Sequence, residues 1–553
     1  MLPITMNLST MPVFTKTHLS AYLLANPALS RVRRNNQSVF QSVHWRHLLL
    51  SVLLIGLTGC ASAPKTPLLS IERDIAAAGL APSAVTVLLQ PVGADKPSQS
   101  WRAEAPMAPA STLKLVTSIK ALETLGPNWR GEHRLLLHPD DRGRARLQHP
   151  LVLQGYAATD FHYDNLWFML KQLHDMGVRD LSSGIIVDRH LFTPLRPLPE
   201  QAPFDQKPRA RYNHIPDALM MQQNMHVLTL SSKQDVVARI SPHWPQLQID
   251  TSQLQLVSAN CQQADLHQLH YQLQPITAHG YRLVIQGLFP DQCELSTQLE
   301  LIDRDLNLAM ALQSMWQQLG GQIGQPSTPP LSAEPQIAFH WLRHEKTPVD
   351  YQMVVQYQSR PLTEILFRVN KFSDNAVTRV IYQAIAHKAN ANPALLQTQT
   401  QTQPRPQQQA PLSSNAIADA LVANWLAQHQ IDSTGLVMDN GSGLSRQARI
   451  SAAQMAAVLQ LAWQAPYATE LVASMPLAGV DGSLRNRFRG TAAAERARLK
   501  TGTLRDVSGL AGYVWDSDGQ PWIFVGLVND PAANSKGYPL LERWVIQLAE
   551  FEK

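Results

Sequence analysis

Apolar positions recur at helical spacing in "STLKLVTSIKALETLG", where Leu115, Val116, Ile119 and Leu122 share a face and Gly126-Pro127 supplies a stop. The same period predicts helices over Ile71 to Ala78, in "LNLAMALQSMWQQLGG", and after Asn375, where Val377, Val380, Ile381 and Ile385 line up. It recurs around Ile417, Leu421, Trp425 and Leu426, and in the closing "YPLLERWVIQLAEF". Strand-like pieces are "AVTVLL" and "SQSWRAEA" on either side of the loop "PVGADKP", then "RLLLH", "LVLQG", "GIIVD", "HVLTL" and "YRLVIQG". "ARLKTGTLRDVSGLAGYVW" reads as strand, with another strand after "DSDGQP". Between Asn390 and Asn415 the Gln, Thr and Pro richness carries no apolar period and predicts a mobile surface loop.

The first 60 residues are basic at Lys16, Arg31, Arg33, Arg34 and Arg46, lack acidic residues, and end in an apolar run from Leu48 to Leu57. A basic stretch before a short apolar one reads as an export signal, and the run is too short for a span, which needs about 20 apolar residues. Leu57-Thr58-Gly59-Cys60 resembles a bacterial lipobox. That resemblance implies cleavage before Cys60, lipidation of its thiol and a membrane anchor; Ala61 and Ser62, with no Asp after the cysteine, resemble lipoproteins sent to the outer membrane.

The five basic residues of this leader account for the whole excess of 47 Lys+Arg over 42 Asp+Glu. The remainder is formally neutral, so the basic balance is no argument for nucleic-acid binding. Cys261 and Cys293 remain, either as a disulfide or as two buried thiols. His267 and His270 stand three apart, but without H-E-x-x-H or a cysteine cluster they read as surface or strand residues. No metal or cofactor is implied.

Lys114 sits in the first turn of its helix, where the dipole disfavours a cation. Ser111, three residues before it, shares its face. A serine hydroxyl needs a base, and a lysine serves as one only when burial, a helix N-terminus or a neighbouring cation lowers its pKa. Ser111 could equally be a helix N-cap. "SAPK" at Ser62 to Lys65 matches the same pattern in a tether, so the pair alone decides nothing.

Two further motifs follow in order: Ser373-Asp374-Asn375 at the head of a helix, and Lys500-Thr501-Gly502-Thr503 on a strand. The set S-x-x-K, S-D-N and K-T-G is shared by penicillin-binding proteins and class A β-lactamases. With "DNGSGLSR" at Asp439 to Arg446 and "PLAGVDGSLRNRF" at Pro476 to Phe488, the chain resembles the D-alanyl-D-alanine carboxypeptidase/endopeptidases of the low-molecular-mass class C penicillin-binding proteins. "GYAATD" at Gly155 to Asp160 departs from the glycine-rich turn that resemblance implies. The 262 positions from Ser111 to Ser373 exceed a β-lactamase's helical subdomain, so extra domains must lie between the motifs.

The fold the resemblance implies is α+β: a serine β-lactamase/transpeptidase-like catalytic domain, an antiparallel sheet with helices on both sides, interrupted by a large insertion whose strand-like and helix-like pieces read as α+β. Expected boundaries are a signal at 1–59, a tether at 60–69, catalytic segments at 70–130 and 346–553, an insertion at 131–345 and the mobile loop at 390–415. The resemblance implies Ser111 as nucleophile, Lys114 as its base, Ser373 as proton relay tuned by Lys500, and Asn375 orienting Lys114. Lys500, Thr501 and Gly502 would hold the substrate's terminal carboxylate and backbone, with the Ser111 and Thr503 N–H groups as oxyanion hole. Arg446 and Asp188 are either contacts to a peptide stem or structural ion pairs. The implied partners are peptidoglycan stem peptides, β-lactam inhibitors and, through Cys60, a membrane; the implied location is the bacterial envelope, facing the periplasm from the outer membrane. The alternatives are a β-lactamase-like hydrolase and a catalytically idle peptidoglycan-binding lipoprotein.

Overall fold

The computed structural model describes residues 68–195, 205–276, 280–323, 339–390 and 412–552. The expected lipidation site Cys60, the expected signal, most of the expected tether and nearly all of the expected loop at 390–415 lie outside the described residues. Among the described residues no helix is long and apolar enough to cross a membrane.

The principal body is built on a five-stranded antiparallel sheet in the order Ala497–Leu504, Val507–Trp515, Pro521–Asn529, Val85–Pro91, Gln99–Trp101. Its central strands are apolar on both sides because both faces are covered. Trp522, Phe524 and Val528 face one core, and Ile523, Val525 and Leu527 the other. The first core is closed by the helices Ile71–Ala78 and Tyr538–Glu550. The second is closed by helices that include Lys114–Leu125, Leu362–Lys371, Asn375–Asn390, Ser414–Gln428 and Ala452–Gln464. The α+β class, with helices on both faces of an antiparallel sheet, is thus observed.

A second body interrupts the first, with a core running from Leu135 to Val355. Its main sheet has the order Leu342–Arg343, Ile185–Asp188, Leu151–Tyr156, Glu132–Leu137, Gln352–Gln358, and two three-stranded sheets follow it. Gln352–Gln358 pairs antiparallel with Glu132–Leu137, so this body extends past the boundary expected at 345. Where the chain leaves and returns, Gly131 and Ser359 exchange bonds: Ser359 N–H donates to Gly131 O at 2.8 Å, and Gly131 N–H to Ser359 Oγ at 2.9 Å. Cys261 and Cys293 form a disulfide within the insertion.

Several local expectations shift. Leu69 is buried and bonded through both backbone groups to the Gln99 amide, so it belongs to the principal body and not to a tether. The strand in "SQSWRAEA" is only Gln99–Trp101. At "GYAATD", Ala157 takes the left-handed conformation (φ 62°) that a glycine would relieve. A Cβ at Gly155 would come within 2.6 Å of Leu219 Cβ, so close packing requires the glycine there.

Candidate active site

Ser111 lies in a 3-10 turn, Ala110–Leu113, that leads directly into the helix Lys114–Leu125. The turn puts the serine hydroxyl beside the lysine three residues on: Lys114 Nζ stands 2.9 Å from Ser111 Oγ. Lys114 is fully buried and also donates to Asn375 Oδ1 at 2.6 Å and to the Ser442 carbonyl at 2.5 Å. Burial lowers its pKa well below the usual lysine value, and the cations Lys500 and Arg379 lower it further; Asp374 opposes them. Both carbonyl partners can only accept. A neutral amine therefore directs its two N–H bonds to them and leaves its lone pair facing the Ser111 hydroxyl.

Ser373 and Asn375 flank an N-cap. Asp374 Oδ1 accepts from Val377 N–H at 3.1 Å, which starts the helix Asn375–Asn390 with a carboxylate at its positive end. Ser373, just outside, adopts φ 58°, a conformation uncommon for a residue with a side chain and frequent at functional sites. Its Oγ accepts from Lys500 Nζ at 3.0 Å, and that amine also donates to the Thr501 carbonyl at 2.9 Å. Burial brings the Lys500 pKa down to about 7.

Lys500 to Thr503 lie on the edge strand Ala497–Leu504. Its hairpin closes on the pair Leu504 and Val507, so hydrogen-bonded pairs alternate and odd-numbered residues point their N–H groups away from the sheet. Leu499 N–H accordingly leaves to reach Pro476 O at 3.1 Å. The same parity sends the Thr503 N–H to the open edge. Gly502 is required by close approach, since a Cβ there would lie 2.6 Å from Pro109 O. Thr501 Oγ1 donates to Ser483 Oγ at 2.8 Å. Gly443 makes the tightest contact, because its Cβ would sit 1.9 Å from Ala110 O; only a glycine lets the loop bearing Ser442 reach the serine turn.

The fold therefore gathers two hydrogen-bonded groups, Ser111–Lys114–Asn375 and Ser373–Lys500, close enough that the Lys500 charge acts on Lys114, with Thr501, Gly502 and Thr503 on the strand that carries Lys500. Asp188 is not among them. It is buried at the end of its strand in the insertion, where it accepts from Gln154, His190 and Thr347, and these bonds keep its carboxyl near pKa 2 despite burial. Its oxygens accept locally, as the structural one of its two expected roles requires. Arg446 is exposed at the end of the "GSGLSR" loop. Sequence reasoning missed the Ser442 carbonyl and Arg379. The first is a backbone group that carries no residue signature; the second lies on the S-D-N helix one turn beyond Asn375 and could have been found by spacing.

The model of the D-Ala-D-Ala carboxypeptidase 3 (S13) family matches residues 69–547. The chain is 24% identical over 465 residues to a D-alanyl-D-alanine carboxypeptidase of an Actinomadura species, covering 80% of this chain and 77% of that protein. It is 22% identical over 453 residues to D-alanyl-D-alanine carboxypeptidase DacB of Haemophilus influenzae, covering 79% and 84%. The crystal structure of penicillin binding protein 4 from Haemophilus influenzae superposes with a TM-score of 0.67 at 18% identity, covering 87% of this chain and all (100%) of that one. A complex of that protein with a β-lactam gives 0.63 at 19% identity, covering 84% and 95%.

Proposed function

The chain belongs to the D-Ala-D-Ala carboxypeptidase 3 (S13) family of serine-type peptidases, and from that premise we propose that Ser111 is its nucleophile and Lys114 the base that activates it. Ser111 attacks the carbonyl of the penultimate D-alanine of a peptidoglycan stem, or the equivalent carbonyl of a D,D cross-link, while its proton passes to Lys114. The Ser111 and Thr503 N–H groups receive the developing oxyanion, each such donor contributing about 3 kcal/mol. Ser373, bonded to Lys500, returns a proton to the leaving amine. Lys500 and Thr501 hold the terminal carboxylate, and Gly502 lets the substrate backbone lie along the edge strand. Water then cleaves the acyl-serine ester, and a β-lactam stops the cycle at that ester.

The observation that carries this reading is the triple engagement of one buried, pKa-lowered amine by Ser111, Asn375 and Ser442. A β-lactamase-like hydrolase is less well supported because of the matched family, and an idle binding lipoprotein because a buried, pKa-lowered amine stands beside Ser111. The likeness to bacterial D-alanyl-D-alanine carboxypeptidases supports a location in the envelope. The motif at Leu57 to Cys60 supports a lipid anchor there, and the residues after the cysteine support the outer membrane.

A fluorescent penicillin tests both points. The unchanged protein should be labelled stably and release D-alanine from a muropeptide, and Ser111→Ala should do neither. Cys60→Ser should keep the label but leave the membrane fraction. Labelling that survives Ser111→Ala removes the nucleophile assignment, and membrane retention of Cys60→Ser removes the anchor.

A further inference from the structure

One short piece of the insertion reaches the head of the S-D-N helix at three successive points. The turn Arg211–Asn213 leads into His214. Arg211 Nη2 donates to Asp374 Oδ2 at 2.7 Å, the Tyr212 carbonyl accepts from Asn375 Nδ2 at 3.1 Å, and the His214 carbonyl accepts from Arg379 Nη1 at 3.3 Å. A second loop completes the contact. Gln223 Nε2 donates to Asp374 Oδ2 at 2.8 Å while its Oε1 accepts from Arg211 Nε at 2.6 Å. Gln222, Gln223 and Asn224 all hold left-handed backbone, with φ of 47°, 53° and 51°, although none is glycine. Strain of that kind persists only where surrounding contacts over-determine it.

We propose that this clamp, Arg211 with Gln223 and the Tyr212 carbonyl, is a positioning device contributed by the insertion that sets the orientation of Asn375 and the proton affinity of Lys114. The proposal rests on the assignment of Lys114 as base. An amide can present either its oxygen or its nitrogen to a neighbour. The Tyr212 carbonyl takes the NH2 group, which leaves Oδ1 for Lys114. Among the described residues, Asp374 is the carboxylate acting directly on Lys114, and it raises the affinity of that amine for a proton. Arg368 and Arg211 both bind its Oδ2, at 2.8 and 2.7 Å, and offset its field. Lys500 and Arg379 are the other charges facing Lys114, and Asp439 acts on Arg379.

The sign follows from these charges. Removing Arg211 leaves Asp374 less compensated, so Lys114 holds its proton to higher pH and the acid limb of the acylation profile moves upward. Penicillin acylation is measured against pH for the unchanged protein, Arg211→Ala, Arg211→Lys, Asp374→Asn and the Arg211→Ala/Asp374→Asn double variant, with a melting temperature for each. Arg211→Ala should slow acylation and move the limb up by about half a pH unit, as expected for a half-exposed charge acting at second hand. Arg211→Lys should restore most of the position. In the Asp374→Asn background the Arg211→Ala change should move nothing further, since residues acting through one another are not additive. An unmoved limb in Arg211→Ala, or an additive shift in the double variant, overturns the proposal while leaving the active-site assignment intact. Absence of label at Ser111 in the unchanged protein would instead overturn that assignment, and the proposal with it.

Discussion

A cluster of buried charge in the insertion and another in the principal body, both among the described residues, are balanced differently. In the insertion, Arg189 and Arg304 meet Asp217 and Asp305: Arg189 Nε and Arg304 Nη1 lie 3.2 and 3.0 Å from the two Asp217 oxygens, and Arg189 Nη1 lies 2.9 Å from Asp305. Two cations face two anions. At the active site Lys114, Lys500 and Arg379 converge, while Asp374 is already held by Arg368 and Arg211. The first arrangement pairs its charges with counter-ions, and in the second the pKa values of the cations are lowered. Burial costs a charge several kcal/mol unless a partner answers it. The insertion answers it with a counter-ion, and the site answers it by lowering pKa.

The contrast predicts opposite outcomes when a member of each cluster is removed. Lys114→Met, which keeps the apolar stem, should lower acylation by at least about a thousandfold, as loss of an activating base does, without lowering the melting temperature. A near-normal acylation rate would show that another group takes the Ser111 proton. Asp305→Asn leaves Arg189 under-compensated and should cost about 3 kcal/mol of stability. Its acylation profile against pH should not move, and a moved limb would break the separation of the two clusters.

The smallest effect is a slope. Lys500 binds its proton with a pKa near 7 in the folded chain, against the ordinary 10.5 when unfolded. Between those values the unfolded state holds the extra proton, so stability should rise with pH, by about 1.4 kcal/mol per unit for such a lysine. Lys500→Met should flatten the dependence of unfolding free energy on pH over that window. A slope of the same size in the variant would assign it to other groups.

Much of this was legible in the chain. The three motifs, their order and the expected α+β class needed only local patterns, and the helices Ile71–Ala78 and Tyr538–Glu550 lie where the apolar period puts them. What escaped reading is what depends on distant partners. Leu247–Val257 is a long strand whose alternation of apolar and polar residues changes phase across Thr251-Ser252, with Leu247 and Ile249 at odd positions and Leu254 and Leu256 at even ones, so no single period marks it. Arg211 lies 163 residues from the carboxylate it binds, and nothing in "RARYNHI" announces that partner. Asp188 looked available only because its local acceptor bonds to Thr347 and His190 are invisible in sequence.

The exchange of bonds between Gly131 and Ser359 closes the insertion at its neck, but the chain is made in one direction and in real time. Lys114 precedes Asn375 by 261 residues and Ser442 by 328. At about 5–20 residues per second, roughly 15–65 s separate the synthesis of the lysine from that of its last acceptor. Throughout that interval the amine is an ordinary solvated ammonium and the serine beside it an ordinary alcohol. On the proposed mechanism the pair gains its reactivity only with the final third of the polypeptide, where Asn375 and Ser442 lie.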